Sequence, residues 1–149
     1  MRRFLVRTDN KPAKYGKTIF IFRGPPGSGK SRIARIVAPG ACYSADDYFE
    51  KKAETYGTTY EKVWTADDLD VAHDTCFDRV MGAIAARCPR ISVHNTFVKQ
   101  SEIKRYYRLA REHDYTINVV RMENNFGNTH GVPIEKVDQM RMDIEAWEC

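Results

Sequence analysis

Gly24-Pro25-Pro26-Gly27-Ser28-Gly29-Lys30-Ser31 is the stretch on which the fold turns. It fits the pattern G-x-x-x-x-G-K-[ST], and each fixed position has a physical task. The glycines free the backbone so that successive N–H groups point inward at a phosphate. Lys30 adds a charge that reaches the outer phosphates, and the Ser31 hydroxyl suits Mg²⁺. The motif requires a strand before it and a helix after it. Thr18-Ile19-Phe20-Ile21-Phe22-Arg23 is a β-branched and aromatic run of the kind that makes a buried central strand. After the loop, Ile33, Ala34, Ile36 and Val37 recur at helical spacing until Pro39-Gly40. The helix N-terminus adds its own attraction for an anion. The pattern predicts a nucleoside triphosphate site made by Gly24, Pro25, Pro26, Gly27, Ser28, Gly29, Lys30, Ser31 and Arg32, with Ser31 as the metal ligand.

Composition sets the outer bounds. A chain of 149 residues suits one domain with a real core. Its 42% hydrophobic and 30% charged content is that of a soluble globular protein. No apolar run approaches the ~20 residues needed to span a bilayer, and the N-terminal residues lack a secretory pattern, so no membrane partner is expected. Cys42, Cys76, Cys88 and Cys149 show no C-x-x-C spacing, which points to reduced thiols and a cytoplasmic location. The net charge of +4 is unevenly spread. Residues 1–17 hold six basic groups against the single acid Asp9, so the rest of the chain is nearly neutral. Residues 1–17 are therefore expected to be a basic tail, solvated or touching a phosphate backbone, and 18–149 the folded domain.

Beyond the first helix, Ala41–Ser44 reads as a second short strand running into Ala45-Asp46-Asp47-Tyr48-Phe49. Lys51–Thr65 is polar and aromatic with no clean period. A long helix is expected from Ala66 to about Arg87, with Leu69, Ala72, Cys76, Val80, Ala83 and Ile84 as its apolar stripe. Ile91–His94 predicts a third strand, Gln100–His113 a helix, Tyr115–Arg121 a fourth strand, and the segment from Pro133 to about Trp147 a last helix. Strands alternating with helices predict an α/β fold of three layers, a mostly parallel sheet of four to five strands with helices on both faces. Ligands in such sheets bind at the carboxyl ends of the strands. That rule gathers the phosphate loop, Asp46-Asp47, His94-Asn95-Thr96 and the loop around residues 123–131 on one rim.

The rim offers several chemical groups. Asp46 can take a proton from an attacking hydroxyl, help hold Mg²⁺, or cap a helix, as can Ser44 and Asp47. Asp47 reads as the structural member of the pair. No acid stands in Val93–Phe97, so His94 and Asn95 are the polar groups available there, either for a substrate or for hydrogen bonds within the fold. Lys104, Arg108 and Arg111 share one helical stripe that reads as a solvated face. Tyr43, Tyr48, Tyr56, Tyr60 and Trp64 divide between core and base-stacking roles.

Gly24–Ser31, Ser44-Ala45-Asp46-Asp47-Tyr48, Asn95-Thr96 and His130-Gly131-Val132-Pro133 together resemble the small P-loop kinases of the polynucleotide 5′-hydroxyl kinase group. The resemblance covers residues 18–146. It implies a P-loop kinase-like fold, ATP and Mg²⁺ as cofactors, and transfer of the γ-phosphate to a hydroxyl such as a nucleic-acid 5′ end. It also implies Asp46 as general base, with Lys30 and Ser31 on the phosphates and metal. His94, Asn95, Asp47, Arg121, Asn128 and His130 are the candidates for the acceptor side and lid. The chain departs from the family pattern where an acid is replaced by His94, an asparagine by Phe97, and the lid arginine by the uncharged stretch Phe126–Thr129. Arginines expected after D-D-Y are replaced by Phe49 and Glu50. Two other readings stay open: a kinase of a small metabolite or nucleoside, and a nucleotide-binding or slow ATPase module.

Overall fold

The computed structural model describes residues 3–6, 16–123 and 131–148. Strand β1 is Arg3–Val6, β2 Thr18–Arg23, β3 Cys42–Tyr43, β4 Arg90–Asn95 and β5 Thr116–Arg121. The helices are α1 Lys30–Val37, α2 Asp46–Thr55, α3 Tyr60–Val63, α4 Leu69–Ala85, α5 Ser101–Glu112 and α6 Ile134–Glu148, with a 3₁₀ turn at Ala66–Asp68 before α4. The strands form one sheet in the order β1-β5-β2-β4-β3. Four of them are parallel, and β1 is antiparallel to β5.

The α/β architecture follows from β2. Its side chains alternate between two apolar faces, as a strand covered on both sides must. Ile19 and Ile21 enter a cluster with Val80, Ile84, Ile103 and Tyr106 from α4 and α5. Phe22 enters another with Ala34 of α1, Val120 and Met122, against which Phe20 packs. A third cluster lies away from the sheet, where Phe49 and Ala53 of α2 meet Val63 of α3 and Ala72 of α4.

Three expectations need correction. Arg3–Val6 lies within the stretch read as a solvated tail, yet it pairs with the edge of β5, from Arg3 opposite Val120 to Val6 opposite Ile117. Lys51–Thr65, read as irregular, carries the second half of α2 and all of α3. These helices are too short for a long apolar stripe, and single aromatic anchors replace the period: Phe49 is buried, with Tyr48, Tyr60 and Trp64 packed around it. On α1, Ile36 is exposed although its spacing suggested the core, because Ala34 alone is fully covered on that short helix.

Among the described residues no helix is long and apolar enough to cross a membrane. Cys42, Cys76 and Cys88 are free thiols.

Phe49 meets the rings of Tyr48, Tyr60 and Trp64 at centroid distances of 5.2, 5.8 and 6.2 Å. Phe49→Ala is therefore expected to cost about 3–5 kcal/mol, measured by denaturant unfolding. Nucleotide affinity should persist at temperatures where the variant is folded, because the phosphate loop rests on other elements.

Candidate active site

The phosphate loop leaves the carboxyl end of β2 at the middle of the sheet. β4 flanks it on one side and β5 on the other. Its first residue is held from both: Gly24 N–H donates to Thr96 O at 3.2 Å, while Met122 N–H donates to Arg23 O at 2.7 Å. This packing leaves no room for a side chain at position 24. A Cβ there would lie 2.7 Å from the Met122 carbonyl oxygen and 2.8 Å from Ser28 Oγ. The loop then enters α1 directly at Lys30, so the helix N-terminus and the loop amides share one focus.

Lys30 is folded into its own loop, with Nζ donating to Pro25 O at 2.8 Å and to Ser28 Oγ at 3.4 Å. Burial brings its pKa down to about 8, opposed by the nearby Asp46 carboxylate. Arg32 is exposed. Ser31 Oγ lies 3.2 Å from His94 Nδ1. The register of β4 on β2 brings that imidazole to the loop, since His94 stands beside Phe22. Burial first, and then the Lys30 charge, push the His94 pKa down to about 4, so the ring is neutral at physiological pH. His94 thus meets Ser31, the serine expected to face the metal, in the place where the family resemblance supplies an acid.

The next residue of β4 positions the other wall. Asn95 is buried, and its Oδ1 accepts from Ala45 N–H at 2.8 Å and from Ser44 Oγ at 3.2 Å. It fixes the point where β3 turns into α2. Ser44 Oγ in turn accepts from Asp46 N–H at 3.1 Å, and Asp47 Oδ2 accepts from Ser44 N–H at 2.9 Å. This reciprocal arrangement satisfies donors at the start of α2 in the manner of a capping box. Asp47 also pairs with Arg79 of α4 at 3.1 Å. Burial raises its pKa, an effect that the Ser44 amide and Arg79 oppose. Asp47 is therefore engaged in holding α2. Asp46 is turned elsewhere, its Oδ1 accepting from the Tyr60 hydroxyl at 2.7 Å.

Arg121 ends β5 and lies in register with Arg23. It is paired with Glu123, whose carbonyl oxygen also accepts from Arg141 of α6 at 3.2 Å. With Pro25, Met122 and Ile144 these residues line a cavity of about 280 Å³ beside the phosphate loop. A wider groove of about 810 Å³ runs between α2 and α4, bordered by Ser44, Asp47, Tyr48, Lys51, Cys76 and Arg79 among others.

The structure brings together Gly24–Ser31, Asp46 and His94, with Asn95 and Asp47 behind them as supports. Asn128 and His130 lie outside the described residues. Lys104, Arg108 and Arg111 are exposed. Two site residues have no signature in the sequence. Tyr60 was one aromatic among five, and Arg141 was an ordinary basic residue on a helix; only the tertiary fold places them. Phe97, standing where the resemblance has an asparagine, is buried against Tyr106. Among the described residues no three His, Cys, Asp or Glu groups converge to bind a metal. The donor set still suits Mg²⁺ that arrives with a triphosphate, because that ion takes most of its oxygens from phosphates and water and needs little more than Ser31.

The fold and this rim define a P-loop kinase-like domain. A family profile described as an AAA domain matches residues 19–125, and the chain belongs to that family. The human NEDD4-binding protein 2 is 28% identical over 145 residues, a match covering 87% of this chain and 8% of that protein. The cytidylate kinase of Archaeoglobus fulgidus is 29% identical over 116 residues, covering 67% of this chain and 64% of that enzyme. The chain thus spans less than two thirds of either relative. Its fold is similar to the solved structure of a “putative kinase” from Chloroflexus aurantiacus, with a TM-score of 0.55, 16% identity, and coverage of 72% of this chain and 59% of the other.

Two measurements check this geometry. Gly24→Ala should cost about 1–3 kcal/mol as β5 and the loop are forced apart, and calorimetric titration should show weakened nucleotide binding. An imidazole kept neutral in the fold but free to charge in the unfolded chain makes the unfolded state the stronger proton acceptor. The His94 contribution is complete above pH 6.5 and is lost as pH falls through about 4. It amounts to at most about 3 kcal/mol. The difference in unfolding free energy between wild type and His94→Asn should therefore shift in that window and stay level above it.

Proposed function

We propose that this protein is a Mg²⁺·ATP-dependent phosphotransferase that moves the γ-phosphate to a hydroxyl acceptor. One observation carries the reading. A carboxylate, Asp46, stands on the phosphate-loop rim close enough to Lys30 to act on its charge, and it is held there by a hydrogen bond. A phosphate acceptor is already anionic and needs no base, whereas an alcohol does. The arrangement therefore supports a hydroxyl acceptor over the nucleotide acceptor suggested by the name of the cytidylate kinase relative.

In this reading the loop amides and Lys30 hold the β- and γ-phosphates, Ser31 meets the metal of the substrate complex, and His94 orients the Ser31 hydroxyl. The cavity between Pro25, Arg121 and Arg141 receives the nucleoside end of the donor. Asp46 accepts the proton of the attacking hydroxyl as the oxygen bonds to the γ-phosphorus. The bridging P–O bond breaks, and its electron pair leaves with the nucleoside diphosphate.

The acceptor we favour is a nucleic-acid 5′-hydroxyl end, on the motif order shared with the 5′-hydroxyl kinase group. The second reading, a neutral small molecule or nucleoside, draws support from the groove beside Asp47. There Lys51, Lys52 and Arg79 are matched by Asp47, Glu50 and Glu54, which gives a polyanion no net attraction.

Labelled ATP with 5′-hydroxyl DNA, 5′-hydroxyl RNA and a nucleoside panel separates these readings by where the label goes. Release of free phosphate alone would instead support a slow ATPase. Lys30→Ala should abolish transfer and weaken ATP binding at least about tenfold, given its position on the outer phosphates. Asp46→Asn should keep ATP affinity within a factor of about two and lower the transfer rate about 10²–10⁴-fold. Undiminished transfer by Asp46→Asn would remove Asp46 as the base.

A further inference from the structure

Tyr60 opens α3, fourteen residues after Asp46, and belongs to none of the nucleotide-binding motifs. Two contacts define its place. Its ring stands edge-on to the buried Phe49 at 5.8 Å, and its hydroxyl donates to Asp46 Oδ1 at 2.7 Å. The ring is fixed from α2, and the hydroxyl in turn restrains a side chain at the first turn of that same helix. The χ2 torsion of an aspartate is broad when nothing restrains it. A short bond from a neutral hydroxyl to a carboxylate is among the stronger hydrogen bonds that proteins make.

Resting on the reading of Asp46 as base, we infer that Tyr60 is a positioning residue that sets the rotation of the Asp46 carboxylate toward the acceptor hydroxyl. The Tyr60 hydroxyl remains a donor because burial and the adjacent Asp46 both raise its pKa. Other charged or titratable groups facing Asp46 are Lys30 on the phosphate loop, His94 on β4, His73 on α4 and its neighbour Asp47. Tyr60 differs from these in meeting the carboxylate through a direct hydroxyl bond.

The test is Tyr60→Phe, which keeps the ring and its contact with Phe49 and removes only the hydroxyl. Thermal stability and ATP affinity should stay near wild type. Transfer should lose about tenfold or more in kcat with KM values unchanged within about twofold, the scale of a hydrogen bond to a charged group. A second readout needs no acceptor. The carboxyl-carbon resonance of Asp46, assigned by its disappearance in Asp46→Asn, should move in Tyr60→Phe relative to wild type at one fixed pH, because the carboxylate loses its hydroxyl donor. An unmoved resonance together with an unchanged kcat overturns the role of Tyr60 while leaving Asp46 as base. Full transfer by Asp46→Asn overturns the base assignment itself, whatever Tyr60→Phe does.

Discussion

The parallel register of β4 on β2 is the constraint from which the site hangs. It sets His94 beside Phe22 and Asn95 beside Arg23, at the level where the phosphate loop begins. Each residue then meets a different part of the rim. His94 reaches Ser31, and Asn95 grips the start of α2 through Ser44 and Ala45. A slip of one residue would send both side chains to opposite faces and leave the loop and α2 unconnected. Asn95 suits its position because an amide both accepts and donates. Its Oδ1 takes two donors, while its Nδ2 approaches Cys76 Sγ at 4.0 Å. An isosteric carboxylate would lose the donor and bring an unwanted charge into a buried site.

The electrostatics of the rim follow from its dryness. Lys30 and His94 are both pushed toward their neutral forms by burial, and the Lys30 charge makes a proton on His94 more costly still. Asp46 works in the opposite sense on both. A neutral imidazole where the family resemblance expects an acid leaves this region less negative, which favours the entry of an anion. The phosphate loop meanwhile satisfies Lys30 internally, through Pro25 O and Ser28 Oγ. A triphosphate bound here would exchange those neutral acceptors for charged ones and strengthen the hold of Lys30 on its proton.

Much of the fold was legible because the signals were local. The strand–loop–helix unit around Gly24–Ser31 carries its own chemistry, and the apolar stripe of α4 reads directly as Ala72, Cys76, Val80, Ala83 and Ile84. The α2–α3 region was hidden because a cluster built on one phenylalanine and its ring neighbours has no period. The site was legible where a motif demands a particular residue and opaque where side chains meet across distance. His94 and Asn95 were visible as polar groups at a strand end, but their partners, Ser31 and Ser44, lie 63 and 51 residues away. Asp46 and Asp47 look alike in sequence. Their different partners, Tyr60 for one and Ser44 with Arg79 for the other, distinguish them.

Arg23 gives the site a further property. It is the largest fully buried side chain among the described residues, and its Nε and Nη2 both donate to the carbonyl oxygen of Phe97, a residue held at φ 47°. A guanidinium does not titrate in the range where proteins function. The segment that follows β4 is thus latched by a group that acid and base leave unchanged, beside a rim where burial shifts the protonation of Lys30 and His94. The anchor of Gly24 on Thr96, the residue next to Phe97, therefore keeps its place whatever the protonation of the groups beside it.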